Sequence, residues 1–145
     1  MKTYVEKIRN AQTKWLNKNT ARILKPKFAQ EMETELPKLE KLGVTITEEQ
    51  LFTMMNEQKK GTVENYIFSK TKPLLKTAVK RAEKLYPQEL RDGTVVDEDE
   101  WLTRRMQIIS DIDRLLCNFI PITDEVITSV VKSPYYCARR ILQEG

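Results

Sequence analysis

Lys72, Lys76, Lys80 and Lys84 recur at every fourth residue. At about 100° per residue this spacing lines four ammonium groups along one side of a helix. Leu74, Leu75, Ala78, Val79, Ala82 and Leu85 point roughly the other way. Lys7, Lys14, Lys18, Arg22 and Lys25 likewise fall within a sector of about 80° beside the apolar stripe of an N-terminal helix. Like charges four residues apart cost about 0.2–0.5 kcal/mol per pair, so both rows are mildly unfavourable until something neutralises them. An acidic helix or a polyanion does so; a solvated lysine face is the plain alternative. Lysine rather than arginine favours general charge attraction over bidentate reading of bases.

Other chemistry is excluded by what is missing. The 145 residues include no histidine, which removes His-based acid–base catalysis, His metal sites and His-activated nucleophiles. Gly43, Gly61, Gly93 and Gly145 are too dispersed for a glycine-rich phosphate loop. The run Asp97-Glu98-Asp99-Glu100 fails the calcium-loop spacing counted from Asp92. Its third and fifth positions hold Thr94 and Val96, and Asp97 stands where glycine is required. Those acids read instead as the first turn of a helix, whose positive end favours them. Glu31 and Glu35 lack a Glu-x-x-His companion, so a di-iron bundle is excluded. The expectation is a protein that is not an enzyme and holds neither metal nor cofactor.

The C-terminal segment has the outline of a helix-turn-helix over about 123–143. Its second helix would present Tyr135, Tyr136, Arg139, Arg140 and Gln143 to a major groove. Two features weigh against it: Lys132-Ser133-Pro134 occupies the turn in place of a glycine, and residues 121–145 have no net charge. Two packed terminal helices are the plainer reading. Cys117 and Cys137 lie among apolar residues and read as two buried thiols in a reducing compartment. The sequence shows no signal peptide and no membrane span, which points to the cytoplasm.

Caps and prolines divide the chain into helices. Thr3 to Glu6 and Thr47 to Gln50 are capping boxes, and Asp97 and Thr123 are further N-caps. The first helix is predicted to run to about Leu24, before Pro26. A second, bent or broken at Pro37, ends at Gly43. Leu51, Phe52, Met54 and Met55 belong to a third helix and read as core. Pro73 is predicted to interrupt the helix that carries the lysine row.

The fold class is therefore all-α: one multi-helix domain over residues 1–145, with six or seven helices around a long central helix at about 97–120. At most it holds a two-strand contact between 44–46 and 94–96. With 40% hydrophobic and 32% charged residues it has enough apolar content to fold without metal or disulfide. Charge alternates along the chain: residues 1–27 and 59–91 are basic, residues 28–58 and 92–145 acidic. That suits helices that face one another with opposite charge.

In the long helix Arg105 and Asp113 fall inside the apolar sector, so both are predicted to be buried and to meet partners from other helices. The leading function is interaction or assembly, with basic helix faces presented to an acidic protein partner. The alternative is a nucleic-acid-binding protein that uses the same rows.

Overall fold

A computed structural model describes residues 3–87, 93–133 and 136–144 of the chain, without the side chains of Tyr136, Cys137 and Glu144. The fold is all-α. The described residues hold seven α-helices and one 3-10 helix joined by loops, and no strand occurs among them, at 44–46 or at 94–96. Contacts group the chain into two compact units, residues 1–70 and 71–145.

In the first unit, α1 (Tyr4–Lys18) opens with the expected capping box. Thr3 Oγ1 accepts from the Glu6 N–H, and the Thr3 N–H donates to Glu6 Oε2, both at 3.2 Å. The helix stops at Lys18, earlier than predicted. The Asn19 side chain donates to the Trp15 carbonyl at 2.8 Å, and a turn from Asn19 to Arg22 follows. Both satisfy carbonyls that a longer helix would have used.

The proline-led α2 (Pro26–Glu35) passes into a 3-10 helix (Leu36–Leu42), which begins where Pro37 lacks a donor. Gly43, at φ 71°, ends it. Its N–H donates to the Glu40 carbonyl and that of Val44 to the Leu39 carbonyl, the pattern of a left-handed helix stop. A second capping box, Thr47 with Gln50, starts α3 (Glu48–Glu57). Ile8, Trp15, Met32, Leu36, Leu39 and Met55 are sealed from solvent here, and Met54 with Met55 is core as expected.

The helix α4 (Thr62–Leu85) passes straight through Pro73. Pro73 and Ser69, whose carbonyl loses its helical partner, are both exposed, so water can satisfy that group. The predicted interruption does not occur.

In the second unit, the later part of α4 is joined by α5 (Glu98–Cys117), α6 (Asp124–Lys132) and α7 (Tyr136–Glu144). Asp97 caps α5 by accepting from the Glu100 N–H at 3.2 Å. The buried face of α5 is Ile108, Asp111, Ile112, Leu115 and Leu116. That is narrower than the sector inferred from sequence, and it corrects the reading of two residues.

Asp113 is exposed, because it shares a side of α5 with Leu102 and Met106, which also face water. Arg105 is half-buried and does meet an opposite charge from another helix, Glu83 of α4 at 2.8 Å. The buried acid of this helix is Asp111. Cys117 is also corrected: it is a free, exposed thiol at the end of α5. Partial desolvation, the Asp113 charge and a hydrogen bond to Asp113 hold its pKa above the ordinary value. Cys137 lies outside the described side chains.

Candidate functional site

The two basic rows have different fates. Along the first, Lys14 Nζ lies 3.1 Å from Glu48 Oε2, and Lys18 Nζ sits 5.3 Å from the centre of the Phe52 ring. Arg22 donates to the Asn56 carbonyl at 2.7 Å and to its side-chain oxygen at 3.2 Å. The Arg22 guanidinium also lies over the Trp15 ring at 5.1 Å, while Trp15 Nε1 donates to the same Asn56 oxygen at 2.9 Å.

Lys14 and Lys18 therefore take partners at one constant offset, as parallel α1 and α3 require, and Arg22 in the turn after α1 keeps that offset. Arg9 adds a 2.6 Å contact to Glu33 of α2. Lys7 rests over the Tyr4 ring at 5.4 Å, and Lys25 uses its backbone N–H on Gln58 while its side chain is exposed. A cleft of about 200 Å³ is lined by Lys7, Lys14 and Asn10, with Glu48 as the opposing charge. Within this row Lys14 meets an acid of segment 28–58 and Lys18 and Arg22 meet an aromatic ring and an amide, while all five residues stay exposed.

Along α4, Lys72, Lys76, Lys80 and Lys84 are all exposed, as the sequence requires. None of the four forms an ion pair or hydrogen bond with a described residue. At about 1.5 Å rise per residue they extend over about 18 Å. The nearby charges on the same helix are engaged elsewhere, Arg81 with Asp124 and the Ile122 carbonyl and Glu83 with Arg105. This row is a basic face without a counter-charge among the described residues.

Of the helix-turn-helix candidates, Arg139, Arg140 and Gln143 are exposed on α7. Tyr135 and the side chain of Tyr136 lie outside the described residues. Sequence reasoning missed Arg104. It reaches from α5 to the last carbonyls of α6, donating to Val131 at 3.1 Å and Lys132 at 3.3 Å. Its guanidinium lies 5.5 Å from the centre of the Tyr86 ring, and its Nε is buried without a hydrogen-bond partner among the described residues. A cation at a helix C-terminus is favourable, but only the tertiary fold brings it there.

Gln58 was missed for the same reason. At φ 45° it ends α3, and its buried amide accepts from the Lys25 N–H at 2.9 Å and donates to the Ile23 carbonyl at 3.0 Å. Tyr66 donates to Gln50 Oε1 at 2.6 Å, and burial followed by the neighbouring Tyr4 pushes its pKa to about 12.

Among the described residues, no helix is long and apolar enough to cross a membrane. Compared with protein-family models, curated proteins and solved structures, the chain matches none.

Proposed function

We propose that the chain is a non-enzymatic binding module that offers the α4 lysine row to an acidic protein partner. One contrast carries this reading. The α1 row has counter-groups within its own unit, whereas Lys72, Lys76, Lys80 and Lys84 lie exposed without an ion pair among the described residues. An acidic surface laid along the row removes a repulsion of about 0.2–0.5 kcal/mol per neighbouring pair.

Charge balance favours a protein over a nucleic acid. Residues 71–145 contain twelve basic and twelve acidic side chains, so the row is a local feature of a neutral unit. Non-specific nucleic-acid binding draws on a broad positive field. The free Cys117 thiol suits a reducing compartment such as the cytoplasm.

The test is titration of the full chain with polyglutamate and with random-sequence duplex DNA at about 50 mM salt, where phosphate contacts are strong. Polyglutamate should bind more tightly than the duplex, with affinity falling as salt rises. Tighter binding to the duplex, with log affinity against log salt sloping by about −0.9 per phosphate, would establish the nucleic-acid reading instead.

A further inference from the structure

Within residues 71–145, α4 and α5 run antiparallel. Glu83 pairs with Arg105 at 2.8 Å, Trp101 Nε1 donates to the Tyr86 carbonyl at 3.1 Å, and Val79 shares a notch with Ile108 and Ile109. Numbers that rise along one helix fall along the other. At about 100° per residue, Lys76 and Lys80 stand about 70–110° round α4 from the side that Val79, Ala82 and Glu83 turn toward α5. Leu102 and Met106 stand about 75–115° round α5 from its side toward α4, in the same rotational sense. For antiparallel right-handed helices, equal rotations bring both sets to one face of the pair.

That face combines apolar and basic edges. Met106 is 69% exposed and Leu102 is 40% exposed, one turn apart. Between the two helices Val79, Ala82 and Ile108 line a notch of about 10 Å³, bordered by Glu83 and Arg105, with Leu102 and Met106 outside its lining. A space of that size seats the tip of one side chain and no small molecule. The lysine row borders the α4 edge, while the exposed Asp113 gives the α5 edge the opposite sign.

We infer that this face docks an amphipathic helix of an acidic partner protein, an inference that rests on the binding reading above. The partner's apolar anchors lie on Leu102 and Met106, and its acidic residues follow the α4 side only, away from Asp113. A third helix is the natural occupant of a shallow groove between two helices, read by anchors spaced three and four residues apart. A nucleic acid leaves Leu102 and Met106 without a counterpart.

The experiment compares two synthetic 18-residue peptides of one composition. One places leucines on one helical face with glutamates along a single flank; the other is scrambled. Amide NMR shifts of the full chain report the binding, with polyglutamate as a third probe. The ordered peptide should bind at least about tenfold more tightly than the scrambled one, with shifts along residues 72–84 and 102–109. Leu102→Ser with Met106→Ser should reduce the ordered peptide to the scrambled level and leave polyglutamate binding and the melt unchanged. Equal affinities for the two peptides, or no effect of the double serine change, would overturn the docking face while polyglutamate binding still upheld the basic row. Failure of polyglutamate and both peptides to bind would overturn both.

Discussion

Lys14 Nζ on α1 stands 3.1 Å from Glu48 Oε2 on α3. The same offset brings Lys18 to Phe52 and Arg22 to Asn56, so three members of the first row also make contacts within the chain. Its members should therefore matter to stability. Arg22→Ala, which removes two hydrogen bonds and the contact with Trp15, should cost about 1 kcal/mol. Lys76→Ala on the unengaged row should stay within about 0.5 kcal/mol. Urea unfolding of the two variants measures the contrast.

Gln58 supplies two separable effects, a strained backbone and a clamp on the segment between α1 and α2. Gln58→Gly should lose the clamp but relieve the left-handed conformation. Gln58→Ala should lose the clamp and keep the strain. Alanine should therefore be the worse substitution by about 1 kcal/mol. Equal destabilisation in urea would show that the backbone at φ 45° carries no cost.

Asp111 and Asp113 are two residues apart on α5, one buried and one exposed. Asp113→Ala should cost less than about 1 kcal/mol. Asp111→Ala removes a buried acid with a partner and should cost at least about 2 kcal/mol. Thermal melts of the two single variants decide this.

Tyr66 links stability to alkaline pH. Its folded-state pKa of about 12 lies above the ordinary 10.0, so folding favours the neutral phenol. That contribution is fully present below about pH 10 and is lost as pH rises through about 12. Tyr66→Phe should flatten the decline between those values in a series of urea unfolding curves. An unchanged decline would place its cause in another group.

The local rules of the fold were legible in sequence. The cap at Thr3, the capping box at Thr47 and the glycine stop at Gly43 depend on residues three or four apart. Each forms as read. What was illegible depends on distant partners. The end of α1 is set by Asn19 and by contacts to α3, and the passage of α4 through Pro73 by which side of the helix meets water. Asp113 was misread because Leu102, Met106 and Ile109 widened the apparent apolar sector of α5, although Leu102 and Met106 are exposed. Spacing placed the α4 row correctly on a helix surface, but of the first row only Lys7, Lys14 and Lys18 lie on α1, with Arg22 and Lys25 in the segment beyond it. It could not show that the first row meets α3.

The most direct test of the central claim reverses charge on each row separately. In Lys76→Glu with Lys80→Glu, the melting temperature should hold within about 2 °C and polyglutamate binding should fall by at least about tenfold. In Lys14→Glu with Arg22→Glu, the melting temperature should fall by several degrees, about 4 °C or more. Retained polyglutamate binding by the α4 double variant, or a melt lowered as far as that of the α1 variant, would contradict the assignment of the α4 row as the free binding face.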